Sequence, residues 1–366
     1  MKPHFALAFT ALLIATAPWA IAAEQAARYQ IMMTAPAQAG STNPLFEEPC
    51  TWPILREKID GYKYYGRELM MPPRRRLDAQ AFARFTTQAN FVVGVEFGHI
   101  FLPPQDRPTE HWQHWLAEAV AEIQPIFDAG GRVDTVHIDG PIRRLLGFGG
   151  GGEAAQTALP YDEAVDQFVR FWIALEQKYP GIRIGYLVNF PNWDYTADYP
   201  GLVGHFTDKT GKYFHDILAD FHKRLTDAGG TLSFVEVDCP YWYYSAKQTL
   251  AKDAPLDNPG KIRALERWCD ARGIRLHMIV NEACLSPTEQ DVPPERFAAE
   301  TKKFSDHTMV YVQALKDDGI TPDVFVIQSW YGVPKPHIPE TQVGTMTHAA
   351  AQIAAKIREC FGQSGE

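Results

Sequence analysis

The feature that most constrains the fold of this chain is the regular alternation of two kinds of segment. Short apolar runs, rich in Val, Ile, Phe and Tyr, alternate with segments whose apolar residues recur every three or four positions. The first pattern is typical of parallel strands covered on both faces, and the second is typical of helices with one buried face. Eight strands are predicted, at residues 28–34, 61–65, 91–98, 133–139, 182–189, 232–238, 274–282 and 323–330.

Eight such units in about 340 residues predict an α/β protein, a single (β/α)8 TIM barrel with elaborated rim loops. An open, doubly wound sheet is the alternative, because the first two strands have the weakest patterns. No linker or charge block divides the chain, so residues 24–366 are expected to form one barrel domain.

The first residues have the pattern of an export signal rather than of a folded segment. Lys2 precedes an apolar stretch at residues 5–14, and small residues at 20–23 offer a cleavage site. The stretch is too short to cross a bilayer. Residues 1–23 are therefore predicted to be a cleaved signal peptide, and the mature chain is expected in the periplasm or outside the cell, with no membrane span.

Carboxylates stand where the apolar runs stop, at Glu96, Asp139, Glu236, Asp238 and Glu282. The carboxyl ends of parallel barrel strands meet at one rim, which is where active sites on this architecture lie. Any one of these acids could instead cap a helix or brace a loop. Their common position nevertheless predicts a chemical site at the rim.

Alternation along each strand predicts which acids face the barrel axis. Glu236 and Asp238 alternate with valines, and His137 and Asp139 alternate with Val136 and Ile138. Because helices cover the outside, the aliphatic side chains belong there and the polar ones point inward. Glu96 shares its direction with two glycines that leave room around it, whereas the direction of Glu282 is ambiguous. Crowded carboxyl groups have pKa values that are driven apart, which yields one acid and one base.

Aromatic and amide side chains surround the same rim. Flat rings suit the C–H faces of sugars, and amides and acids suit their hydroxyl groups, although each ring taken alone could simply fill the core. The side chains predicted to bind a carbohydrate are Glu96, His137, Asn189, Trp193, Trp242, Asn281, Gln328 and Trp330.

These features resemble the barrel glycoside hydrolases over residues 28–360. In the largest clan of that group the acid/base is a Glu after Asn on the fourth strand, and the nucleophile is a Glu on the seventh. Glu282 matches the place of the nucleophile, whereas the fourth strand has Asp139 before Gly140 in place of Asn-Glu. Another barrel group uses Asp on the fourth and sixth strands, which would select Asp139 with Asp238. The resemblance implies hydrolysis of a glycosidic bond, by Asp139 with Glu282 first and by Glu236 or Asp238 as alternatives.

Two other functions remain open. A metal-dependent sugar isomerase or lyase is one, because acids and histidines on barrel strands can hold a divalent ion. A carbohydrate-binding barrel without activity is the other. The net charge of −9 argues against nucleic acid as a partner. A carbohydrate substrate is expected, with no cofactor and no metal. Arg143 and Arg144 follow the fourth strand and could grip an acidic sugar or a phosphate, although salt-bridged arginines are more common.

Overall fold

The structure is a computed structural model that describes residues 29–36, 41–69, 77–101, 111–147, 158–201, 206–245, 256–282, 293–329 and 333–362. Parallel strands pair in chain order and close into a barrel when β1 pairs with β8. The predicted (β/α)8 fold is therefore confirmed, and the open sheet is wrong. The strands are β1 Gln30–Met33, β2 Gly61–Tyr65, β3 Val92–Phe97, β4 Thr135–Asp139, β5 Arg183–Asn189, β6 Phe234–Asp238, β7 Arg275–Val280 and β8 Val324–Ile327.

Helices follow the strands as the apolar spacing predicts. The helices that follow β1 to β8 in turn are α1 Pro53–Arg56, α2 Ala79–Gln88, α3 His111–Asp128, α5 Tyr161–Lys178, α7 Phe214–Asp227, α9 Asn258–Asp270, α10 Phe297–Asp317 and α11 Met346–Phe361. Two short helices come directly after strand ends, namely α4 Pro141–Leu145 and α8 Tyr241–Ser245, and a third, α6 Phe206–Thr210, lies further along the connection after β5. Short 3-10 segments lie at Asn43–Phe46, Gly66–Leu69, Phe190–Asn192 and Pro294–Arg296.

The strands separate an outer apolar layer from a smaller inner one. Outward side chains such as Val235 and Val237 belong to the large core shared with the helices. A separate cluster of inward side chains fills part of the barrel axis, and it contains Met32, Leu187, Ile279, Val324 and Val326. Much of the remaining interior is polar, as at Lys63, His137 and Glu236, although barrels of this kind are commonly filled by bulky branched residues.

None of the helices that the structure describes combines the length and apolar character needed to cross a membrane. Residues 1–23 lie outside the described residues, so the signal peptide stays a prediction.

Candidate active site

A polar cavity of about 440 Å³ opens at the carboxyl ends of the strands. Its acidic groups are Glu96, Asp139 and Asp238. Its basic groups are Arg67, His99, Arg143 and Arg144. Neutral side chains complete the wall, among them Tyr65, Asn189, Leu187, Ile279 and Gln328. The cavity thus brings together three of the five predicted carboxylates and two of the predicted amides.

Asp139 ends β4 and is held by two arginines from the next turn of chain. The guanidinium of Arg144 donates from Nη2 to the Asp139 carboxylate and from Nε to its main-chain oxygen, the latter at 3.0 Å. Arg143 Nη2 lies 3.8 Å from the other carboxylate oxygen. Burial alone would raise the pKa of Asp139, but these guanidinium groups hold it below its ordinary value. Asp139 is therefore an ionised carboxylate at neutral pH.

Two glycines make this arrangement possible. Gly140 begins α4 with a φ of +52°, a left-handed conformation that returns Arg143 and Arg144 over the strand end. A Cβ on Gly98, at the end of β3, would lie 2.9 Å from the Asp139 carboxylate and 3.0 Å from Arg144 Nη2. The ion pair occupies the space that the absent side chain leaves.

Asp238 ends β6 and has the opposite electrostatic environment. It is 9% exposed, and the one hydrogen bond described for its side chain comes from Asn281 Nδ2, at 3.3 Å from Oδ1. Burial, and after it the negative charge of Asp139, raise the pKa of Asp238 to about 7. Two carboxyl groups of one cavity therefore differ in protonation near neutral pH, as an acid and a base require.

A charged cluster lies in the barrel interior next to the cavity. Lys63, on β2, is fully buried, and its Nζ lies 2.8 Å from Glu96 Oε2 and 2.7 Å from Glu236 Oε1. Burial would lower the pKa of Lys63, but the two carboxylates raise it, so the ammonium stays charged. Glu236 is fully buried and is not part of the cavity wall.

His137 connects β4 to the same cluster. Its Nδ1 lies 2.6 Å from Glu236 Oε2, and its Nε2 lies 2.9 Å from Thr135 Oγ1. Burial lowers the pKa of His137, and an ionised carboxylate can only accept, so a neutral ring donates from Nδ1. Burial would raise the pKa of Glu236, but His137 and Lys63 hold it well below its ordinary value. A Cβ on Gly94 would lie 3.0 Å from the His137 ring, so this glycine provides the space for it.

One group of side chains in the described residues has the donor atoms of a metal site. These are His137, Glu236 and His277, whose ligand atoms lie within 4.8 Å of one another. The ring of His277 stacks on Phe234 at a centroid distance of 4.0 Å, and burial lowers its pKa to about 3. The same carboxylate already accepts from Lys63, whose ammonium would stand beside any bound ion and repel it. The donor set therefore fits a divalent cation poorly.

Glu282 was predicted as a catalytic residue because the barrel hydrolases that this chain resembles have their nucleophile on the seventh strand. It is not among the described residues that line the cavity. It follows β7 and has the direction of Met278 and Val280, which pack in the outer core, whereas inward positions are taken by His277 and Ile279. Its carboxylate is 3% exposed and lies 3.6 Å from Nδ1 of His307 on α10. The predicted pairing of Asp139 with Glu282 across the cavity is therefore not what the structure shows.

Two of the three predicted aromatic side chains, Trp193 and Trp242, do not line the cavity. Trp193 is 2% exposed and packs against Phe206 and Phe214 at centroid distances of 5.1 and 5.7 Å, so it belongs to the core. Trp242 is 56% exposed on α8, outside the cavity. Trp330 lies outside the described residues. Among the described residues that line the cavity, Tyr65 provides a phenol ring.

Sequence reasoning singled out Arg143 and Arg144 but missed Lys63, Arg67 and His99. A lysine in the middle of a buried strand is a strong signal, and the alternation of β2 places Lys63 on the inward side with Gly61 and Tyr65. Arg67 and His99 lie just after β2 and β3. The criterion that identified the acids, a polar residue at or just after a strand end, would also have identified these two residues.

No protein-family model matches the chain, and no curated protein matches its sequence. Solved structures share its fold. A mutant of xylanase 10C from Cellvibrio japonicus in complex with xylopentaose is 12% identical with a TM-score of 0.51, over 91% of this chain and 68% of that chain. Xylanase 10B from Thermotoga maritima is 12% identical with a TM-score of 0.50, over 92% and 95% of the two chains. A psychrophilic glycoside hydrolase family 10 endo-beta-1,4-xylanase is 9% identical with a TM-score of 0.51, over 88% and 96%. The fold is thus a (β/α)8 barrel similar to that of these xylanases.

Proposed function

We propose that this chain is a glycoside hydrolase in which Asp238 is the general acid and Asp139 is the ionised carboxylate. The observation that carries the proposal is the opposite electrostatic environment of two carboxyl groups in one cavity. Glycosidic bonds are cleaved by such a pair, one protonated and one ionised, on either side of the bond. Asp238 replaces Glu282 in the pair because Glu282 contacts α10 rather than the cavity.

In this mechanism the protonated Asp238 gives its proton to the leaving oxygen of the sugar. As the glycosidic bond breaks, the Asp139 carboxylate either bonds to the anomeric carbon or takes a proton from the water that attacks it. In the first case water later cleaves the sugar from Asp139, and the deprotonated Asp238 takes the proton of that water. Glu96, held by Lys63 and by Gln328 Nε2 at 3.3 Å, faces the cavity as an acceptor for sugar hydroxyl groups. Asn189 stands in the same wall and is fixed by Asn192, whose Nδ2 donates to Asn189 Oδ1 at 2.8 Å.

A carbohydrate substrate is supported by the fold neighbours, one of which is a xylanase in complex with xylopentaose. The test is release of reducing ends from xylan and from a panel of other soluble glycans. We expect Asp139→Asn and Asp238→Asn each to lower kcat by about 100-fold or more, as removal of a general acid or base does. Glu282→Gln serves as the comparison, and we expect it to retain most of the activity.

Full activity in both aspartate variants would refute the assigned pair. Loss of activity in Glu282→Gln alone would return Glu282 to the catalytic pair. A chain that binds glycans but releases no reducing ends would be a binding barrel. Loss of activity on treatment with a chelator, restored by a divalent metal, would instead favour the metal-dependent isomerase or lyase.

We also propose that the chain works outside the cytoplasm after loss of residues 1–23. The charged start, the apolar stretch at residues 5–14 and the small residues that follow support this location. The mass of the protein recovered from the periplasm or medium would show the cleavage site. Recovery of the uncleaved chain from the cytoplasm would contradict the proposal.

A further inference from the structure

We propose that the cavity binds a negatively charged group of its substrate on Arg143, and that this group is the carboxylate of a uronic acid. The inference deepens the proposed function by assigning a substrate class to the same cavity. It starts from Arg143, which lies beside Asp139 but makes no hydrogen bond to it.

Arg143 is a nearly buried guanidinium without a hydrogen-bond acceptor among the described residues. Its side chain is 12% exposed, and its Nε is fully buried and unpaired. The nearest carboxylate atom, Asp139 Oδ1, lies 3.8 Å from Nη2, which is beyond hydrogen-bond distance. An unsatisfied buried donor is unfavourable, and more so when it is charged. A ligand carboxylate at the exposed part of the guanidinium would supply an acceptor.

The surroundings hold this guanidinium in a fixed place. Its Cζ lies 5.0 Å from the centroid of the Phe206 ring, a distance at which a cation is attracted to an aromatic face. Arg144 bonds the Oδ2 oxygen of Asp139, and the Oδ1 oxygen stays 3.8 Å from Arg143 Nη2. Arg143 therefore lines the cavity with a guanidinium that is fixed in place and makes no hydrogen bond to a described residue.

The charge balance of the cavity favours an anion. Lys63 is shared by Glu96 and Glu236, and Arg144 is paired with Asp139. Asp238 is largely protonated below pH 7, because its pKa is raised to about 7. The four cations Lys63, Arg67, Arg143 and Arg144 thus face three ionised carboxylates, Glu96, Asp139 and Glu236, so these described groups carry one excess positive charge. A neutral sugar would leave that charge uncompensated.

A carboxylate fits this environment better than a phosphate. The planar guanidinium fork matches a carboxylate in a bidentate pair. The same cavity contains Glu96 and Asp139, whose negative charges repel a dianion more strongly than a monoanion. Since both anions can bind arginine, the experiment must include both.

The experiment is a calorimetric titration of the full chain at pH 6 with a matched pair of ligands, glucuronate and its neutral methyl ester. Inorganic phosphate is the third ligand. We expect glucuronate to bind at least 10-fold more tightly than the ester or phosphate. Arg143→Met should lower the glucuronate affinity by about 10- to 100-fold, because a bidentate charge-assisted contact is lost. Arg143→Lys should recover part of that loss, since the charge returns without the fork.

Arg170→Met is the matched control, because Arg170 is an exposed arginine on the outer face of α5. Equal binding of glucuronate and its ester would overturn the proposal, as would an unchanged affinity in a folded Arg143→Met variant. Tighter binding of phosphate would overturn the assignment of a carboxylate. Binding is measured without hydrolysis, so a chain that binds glucuronate through Arg143 but cleaves no glycan would refute the proposed function alone.

Discussion

At the scale of single residues, Asp139 and Asp238 are the same amino acid at the same kind of position with opposite ionisation. Each ends a strand and faces the cavity. Asp139 lies beside two guanidinium groups. Asp238 instead accepts a hydrogen bond from an amide and lies near the negative charge of Asp139. Neighbouring charges, rather than residue type, thus decide which carboxyl can give a proton and which can act as an anion.

The first prediction concerns the pH dependence of hydrolysis. A general acid works only when protonated, so kcat/KM should fall as the pH rises through about 7, the value to which the pKa of Asp238 is raised. Asp238→Glu should keep this fall of kcat/KM at high pH with a shifted midpoint, whereas in Asp238→Asn the fall should be absent. A profile of the native protein that is flat from pH 6 to 9 would contradict the role of Asp238.

The second prediction concerns stability at the same residue. The pKa of Asp238 is raised on folding, so the stabilising contribution of its protonated form is present below pH 4 and is lost as the pH rises through about 7. Asp238→Asn removes the cost of burying the charge. We expect it to increase the free energy of unfolding at pH 8 by up to about 4 kcal/mol.

Urea unfolding of both proteins at pH 4 and pH 8 measures this difference. The two proteins should be similar at pH 4, where the native Asp238 is protonated. An Asn variant that is less stable than the native chain at pH 8 would show that the ionised carboxylate has partners that outweigh its burial.

At the scale of elements, the strands were predictable and the direction of one of them was not. All eight predicted strands are present because parallel barrel strands are near-continuous apolar runs. Alternation gave the inward direction of His137 and Glu236, since each is flanked by aliphatic residues that belong to the outer core. The residues on either side of Glu282, Asn281 and Ala283, do not indicate which way its side chain points. Its contact with α10 could therefore not be predicted from the sequence of β7 alone. Trp193 misled for a similar reason, because a ring after a strand end can turn into the core.

The third prediction concerns β2, whose Lys63 neutralises carboxylates from β3 and β6. Lys63→Met would leave Glu96 and Glu236 close together in the barrel without a cation. Removing one partner of a buried ion pair costs about 3–5 kcal/mol, and we expect the free energy of unfolding, measured in urea, to fall by that amount. The double variant Lys63→Met with Glu236→Gln should lose less than the sum of the two single losses.

Lys223→Met is the matched control, because its side chain is 73% exposed and its ion pair with Asp227 lies on the surface. We expect a change within about 0.5 kcal/mol. A loss in Lys63→Met that is no larger than in the control would show that Lys63 does not hold the cluster together.

At the scale of the whole molecule, the barrel creates contacts that no local pattern contains. Lys63 and Glu236 are 173 residues apart in the chain and are joined only by closure of the sheet. The sequence predicted a rim with acids, because the ends of parallel strands must meet there. It did not predict which acid faces which cation, because that depends on the register between neighbouring strands, such as Tyr65 opposite Glu96 and Asn189 opposite Asp238.

The last prediction concerns closure of the barrel by β1, which pairs with both β2 and β8. The ring of Tyr29 packs against Phe325 and Phe361 just before this strand begins. A chain that starts at residue 24 keeps all of these contacts, so we expect it to melt at the same temperature as the full chain. A chain that starts at residue 35 lacks β1 and leaves two strand edges unpaired, which favours aggregation over folding. Circular dichroism and size-exclusion chromatography compare the two chains, and a monomeric, cooperatively melting chain without β1 would show that closure is not required for folding.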